Sequence, residues 1–320
     1  MISVSPGVSL HIRDWGGRGR PLVFLAGLGN TAHVFDDFAP QFTDRFHVLG
    51  ITRRGFGASA GAEPANNLET LVGDVVAVLD SLKLDSVVLV GHSIAGEEMT
   101  RFAQRYPKRC AGLIYLDAAY DRTGDAVKSM PPSPPPPSMS DDDATSANAF
   151  SAYTTRVMGV TQPESEIRAV ARFDKNGKYL DDVTGEREKA RVKQAVRPPQ
   201  YEQLRCRSLA IYAVPEAPTD VVPYYAELDA AGRKQADTLF RSVKALIAKS
   251  RARFAKVPNS EVVGISGNHY IFLQHPAKVA AAMRAFLSSD ARRPLDRPGD
   301  VRWDEHSARD GERLEDQTAP

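Results

Sequence analysis

The chain is short of the features that would place it in a class at sight. Its 320 residues include only two cysteines, Cys110 and Cys206, and these carry no metal-ligand spacing, which excludes a disulfide scaffold and a zinc module. There is almost no net charge: 41 basic residues against 40 acidic ones leave +1. No global field would therefore recruit nucleic acid or an acidic membrane surface. No apolar run approaches the roughly 20 residues of a membrane-spanning helix. The opening Met1-Ile2-Ser3-Val4 lacks a basic segment followed by an apolar stretch, so no signal peptide is expected and the default compartment is cytoplasmic. Pairing of Cys110 with Cys206, or a leader already removed, would point instead to a periplasmic or secreted home.

What is present is the composition of a globular protein, 42% hydrophobic and 25% charged, long enough for one large domain or two. Val8, Leu10 and Ile12 alternate with polar neighbours and predict a β-ribbon within residues 1–20. Short buried-strand runs follow at Pro21–Leu25, Phe46–Ile51, Ser86–Val90 and Ala111–Leu116, with helical periodicity between them, most clearly over Leu68–Leu82. Strands alternating with helices imply βαβ units and a mostly parallel, doubly wound α/β sheet.

The alternation breaks after residue 120. Residues 121–205 show no convincing strand and read as an inserted helical cap. It opens on the proline-dense Met130–Ser138 and continues with a helix from Ser140 to about Met158 and two shorter ones. The sheet pattern returns at Ser208–Ala213, followed by a long helix expected from Pro223 to about Val257, a last strand at Glu261–Ile265 and a closing helix at Ala277–Leu287. The core is thus expected from residues 1–120 and 206–290, and the charged, apolar-poor 291–320 reads as a disordered tail.

The chemistry centres on Val87-Val88-Leu89-Val90-Gly91-His92-Ser93-Ile94-Ala95-Gly96. A buried strand runs into a sharp turn and then a helix. Small residues at 91 and 95 leave room for a strained backbone that lifts the Ser93 hydroxyl above the sheet. A serine hydroxyl is a weak nucleophile at neutral pH and needs a positioned base. His269, in the loop after the last strand, can take and return a proton. Backbone N–H groups of Leu28 and Ile94 are the candidate oxyanion donors.

The order serine, acid, histidine resembles the α/β-hydrolase family over roughly residues 5–288. Four motifs carry the resemblance: Gly91–Gly96 as the nucleophile elbow, Ala26-Gly27-Leu28-Gly29 as the oxyanion loop, Arg54–Ser59 as the turn after an early strand, and Gly267-Asn268-His269 as the histidine loop. Ala26 stands where the family usually has histidine, and Ala95 where it usually has glycine; both remain small. In that family the acid usually follows the strand corresponding to Ser208–Ala213. Glu216, three residues on, fits that offset best, with Asp220 second and Asp117 or Asp121 the less common placement. The resemblance implies a serine esterase acting on a small carboxylic ester, with lactone, thioester, amide or carbon–carbon bond hydrolysis, or a non-catalytic receptor, as the alternatives. It calls for no metal and no organic cofactor. Serine at the elbow argues against epoxide hydrolase chemistry, which in this family uses aspartate there. His33, Phe35, His92, Tyr120, Tyr153 and Tyr270 are the candidate pocket residues. Arg53 and Arg54 read as structural turn residues, and Glu97 and Glu98 as favouring the N-terminal end of the helix after the elbow.

Overall fold

A computed structural model describes residues 1–59 and 67–288; the expected tail at 291–320 lies outside the described residues. The strands are β1 (Ile2–Ser5), β2 (Val8–Leu10), β3 (Ile12–Gly16), β4 (Pro21–Leu25), β5 (His47–Ile51), β6 (Val87–His92), β7 (Cys110–Leu116), β8 (Ala171–Phe173), β9 (Tyr179–Asp182), β10 (Arg207–Val214) and β11 (Ser260–Ser266). The helices are α1 (Leu68–Ser81), α2 (Ala95–Arg105), α3 (Asp125–Lys128), α4 (Ala147–Met158), α5 (Glu164–Val170), α6 (Glu186–Ala195), α7 (Ala230–Phe254), α8 (Ile271–Gln274) and α9 (Pro276–Ser288).

Seven strands form the central sheet in the order β11-β10-β7-β6-β4-β5-β3. All neighbours are parallel except β3, which runs antiparallel to β5 at one edge. The buried strands read as continuous apolar runs because helices cover both faces, and the period of two divides their side chains between the two layers. Val23, Leu25, Leu89, Leu113, Tyr115 and Tyr212 face one core with α1, α2 and α7. Leu22, Phe24, Val88, Val90, Ile114, Leu116 and Ile211 face the other, where Phe35, Phe38, Phe42 and α9 pack. In a parallel sheet every strand delivers its carboxyl end to the same side, and ligands bind there.

Three expectations need correction. The segment between β7 and β10 is not purely helical, because the turn at Asp174–Gly177 folds its flanks into the short hairpin β8–β9, and Phe173 and Tyr179 pack their rings against Phe150. Ser140 does not open α4: its hydroxyl accepts from Asp143 N at 3.2 Å while Asp143 Oδ2 accepts from Ser140 N at 2.9 Å, which closes a separate turn. The helix starts six residues later, where Ser146 Oγ accepts from Ala149 N at 3.1 Å. Likewise α7 starts at Ala230 and not at Pro223, capped by Asp229, whose carboxylate accepts from Gly232 N at 2.7 Å.

Cys110 and Cys206 meet at the starting ends of β7 and β10, their sulfurs 2.9 Å apart as free thiols. A mild oxidant such as a low-molecular-weight disulfide is expected to join them by exchange. Closing a loop of 96 residues would stabilise the fold by about 4–5 kcal/mol in the chain-entropy account. Titration of alkylatable thiols under denaturing conditions, before and after oxidation, reads this directly. Two thiols persisting after oxidation would contradict it.

Candidate active site

The geometry begins at the end of β6. Ser93 has φ of +55°, left-handed backbone that a non-glycine residue rarely adopts. The turn is held from both sides: Ser93 N donates to Leu116 O at 3.2 Å, and Gly96 N to Ser93 O at 3.1 Å. Small neighbours are required for close contact. A Cβ on Gly91 would stand 2.4 Å from Met99 Sδ, and one on Gly96 would stand 2.3 Å from Ala118 O. Gly27 likewise passes so close that a Cβ there would meet His92 Nδ1 at 2.8 Å and Ser93 Cβ at 3.2 Å. The Ala26–Gly29 loop therefore lies directly against the serine. Ile94 opens α2, and its side chain packs in one cluster with Leu28, which brings both expected N–H donors to one region.

That loop is clamped by a buried cation. Arg53 donates to Ala26 O at 2.9 Å and Gly27 O at 3.3 Å, and to Glu98 Oε1 at 2.6 Å. Arg54 pairs with Asp74 on α1. Glu97, on the first turn of α2, meets Arg122 at 3.2 Å, and burial raises its carboxyl to about 7 against that attraction.

The acid bonded to the histidine is Asp117, not Glu216. Asp117 Oδ2 accepts from His269 Nδ1 at 2.6 Å, with the Asp117 side chain only 7% exposed. Its other oxygen, Oδ1, accepts from Ala213 N at 3.0 Å and from the Tyr120 hydroxyl. Asp117 sits at the end of β7 with φ of +46°, and its N–H donates to Ile211 O at 2.7 Å. Because β7 is the direct neighbour of β6, a carboxylate at its tip reaches the elbow region without a long loop.

The offset that favoured Glu216 fails for a local reason. Strand β10 extends one residue past Ala213, Pro215 follows, and the Glu216 carboxylate turns outward to accept from Ser266 Oγ. Asp220 turns back on its own loop, accepting from Glu216 N at 2.8 Å and Ala217 N at 3.0 Å. Asp121 is drawn to Arg253 at 2.8 Å. The signal that marks Asp117 in the sequence is its place immediately after a buried strand, followed by two alanines and a tyrosine.

Ser93, Ile94, Asp117, Tyr120 and His269 line a common cavity of about 500 Å³. Val127, Val196, Val221, Val243, Leu246 and Ile247 give it apolar walls, while Arg122, Lys193 and Asp220 add charge.

Of the six expected pocket residues, only Tyr120 lines this cavity. His33 turns away to Asp36 at 2.8 Å and stacks on His11. Phe35 is fully buried between Phe24 and Phe272, where it serves the core. His92 is buried beneath the site and bonded through Nε2 to His269 O at 3.1 Å; burial holds its pKa well below the usual value, with His269 adding to that effect. A neutral imidazole there supports the histidine loop from below. Tyr153, on α4, donates to Pro137 O at 3.2 Å. Tyr270 lines a second, smaller cavity of about 210 Å³ beside Leu28, Gly29 and Asn30.

Residues 20–209 match the family model of the alpha/beta hydrolase fold, and the chain belongs to that family. Among its relatives, a carbendazim hydrolyzing esterase of Nocardioides sp. (strain SG-4G) is 37% identical over 112 residues, 34% of this chain and 46% of that protein. A non-heme chloroperoxidase of Streptomyces lividans is 32% identical over 120 residues, 37% of this chain and 44% of that protein. The chain thus spans less than half the length of these curated relatives. The crystal structure of an E-2-(acetamidomethylene)succinate hydrolase superposes with a TM-score of 0.64 at 18% identity, covering 90% of this chain and 97% of that one. At that identity the likeness speaks for the fold alone.

Proposed function

We propose that this hydrolase cleaves a small carboxylic ester through an acyl-enzyme on Ser93, with His269 as general base and Asp117 as the acid that orients it. The observation that carries this reading is the His269–Asp117 hydrogen bond opening onto the same cavity as a serine on a strained elbow. With its Nδ1 proton held by Asp117, His269 presents Nε2 as the free base. Nε2 takes the Ser93 proton as the oxygen attacks the ester carbonyl carbon. The carbonyl π pair moves onto oxygen, and Leu28 and Ile94 N–H groups stabilise that oxyanion. As the C–O bond breaks, His269 returns the proton to the leaving alcohol. Water, deprotonated by the same nitrogen, then attacks the acyl carbon and releases the acid with Ser93 restored.

The cap formed by residues 121–205 covers this site in the proposed account, and the apolar walls at Val127, Val196, Leu246 and Ile247 suit a hydrocarbon portion of the substrate. The activity belongs with the carboxylesterases. A panel of p-nitrophenyl esters of increasing acyl length tests it: a burst of one p-nitrophenolate per chain, followed by a slower steady state, is the expected trace when deacylation limits turnover. No turnover on any ester of the panel would reject the esterase reading.

A further inference from the structure

The loop carrying Leu28 is bonded at its start by Arg53 and at its end by a fully buried carboxylate on α5. Glu166, on α5, has no measurable exposure. Its Oε1 accepts from Asn30 Nδ2 at 2.9 Å and Thr31 N at 3.0 Å, and its Oε2 accepts from the Thr31 hydroxyl. Asn30 closes the turn, its N–H donating to Gly27 O at 3.4 Å, and Leu28 lies inside that turn. Asn30 Oδ1 in turn accepts from the Tyr270 hydroxyl at 3.0 Å, next in sequence to His269. One carboxylate therefore ties together α5, the oxyanion loop and the histidine loop, 136 residues from Asn30 in sequence.

The division of labour is electrostatically consistent. The Arg53 guanidinium takes the loop's carbonyls, and the Glu166 carboxylate takes its N–H and side-chain donors. A buried carboxylate is costly unless its oxygens are satisfied. Burial does lift Glu166 to about 7, opposed by the hydrogen bonds from Thr31 and Asn30 and by the charge of His33. The fold tolerates this position where three donors converge.

We propose that Glu166 is a positioning residue for the oxyanion: by fixing Asn30 and Thr31 it holds the Leu28 N–H in the direction the transition state needs. This rests on the serine-hydrolase reading above. Catalytic donors tolerate little displacement, since an error of about 1 Å can cost about 100-fold in rate.

Glu166→Leu is expected to lower kcat about 100-fold with KM within threefold. Affinity for an aryl trifluoromethyl ketone, which forms a hemiketal oxyanion on the serine, is expected to fall with kcat/KM. Glu166→Gln is expected to recover most of kcat. Its amide oxygen keeps Asn30 Nδ2 and Thr31 N, and its NH₂ donates to the Thr31 hydroxyl. Asn30→Ala, which removes one strut and leaves Glu166 in place, is expected to cost about 10-fold in kcat, less than additively with Glu166→Leu. If Glu166→Leu does not fold, Asn30→Ala with the ketone measurement decides alone.

Wild-type kcat and ketone affinity in both Glu166→Leu and Asn30→Ala would overturn the proposal, as would a rise in KM with kcat intact. If wild-type enzyme neither turns over esters nor binds the ketone, it is the serine-hydrolase reading that fails, a result distinct from any change produced at residue 166.

Discussion

Asp117→Asn is expected to lower kcat by about 10⁴-fold at neutral pH, while Glu216→Gln stays within about twofold of wild type. The two substitutions are equally conservative, and the hydrogen bonds separate them. Ala213 N and the Tyr120 hydroxyl both donate to Asp117 Oδ1, so an asparagine must place its carbonyl oxygen there. Its NH₂ then faces His269 Nδ1 and donates to it. The imidazole proton is forced onto Nε2, the nitrogen that has to accept from Ser93. Geometry survives and the tautomer is wrong, which is why the loss falls on kcat and leaves KM almost unchanged. Glu216 is exposed and bonded to Ser266, so its charge contributes nothing to the tautomer. Comparable losses in both variants, or the larger loss at 216, would remove Asp117 from the account.

Ser93→Ala is expected to cost about 10⁵–10⁶-fold in kcat, with KM within a few-fold. In the proposed mechanism the hydroxyl is the group that forms the covalent bond, and an alanine side chain offers nothing to replace it. The packing around residue 93 comes from Gly27 and the backbone bonds of the turn, neither of which needs the oxygen. Alanine keeps the Cβ and meets the same positive φ, so the fold should hold with a thermal midpoint close to wild type. A Ser93→Ala enzyme with ordinary turnover would assign the activity to another centre.

Much of this was readable in the sequence because it depends on local rules. Continuous apolar runs separated by helical periods gave a parallel sheet covered on both faces. The small residues around Ser93 announced the close approaches that the structure measures at Gly27, Gly91 and Gly96. What stayed hidden depends on contacts distant in sequence. Glu216 and Asp117 are both carboxylates shortly after a strand, and only strand order and the outward turn after Pro215 separate them. Glu166 reads as one of several charges on a short helix. Its burial and its grip on Asn30 and Thr31 arise from how residues 121–205 pack on the loop, which spacing does not encode. The aromatic candidates divided in the same way: Phe35 packs in the core and Tyr153 turns to Pro137 O and not into the cavity, because ring type says nothing about which face of the molecule a ring will meet.

The central claim is that Ser93 is the nucleophile, and covalent trapping tests it most directly. Wild-type protein treated with a fluorophosphonate, digested and analysed by mass spectrometry should carry one phosphonyl group per chain on the peptide containing Ser93, and Ser93→Ala should carry none. Stoichiometric label on any other residue, or undiminished label in Ser93→Ala, would contradict it.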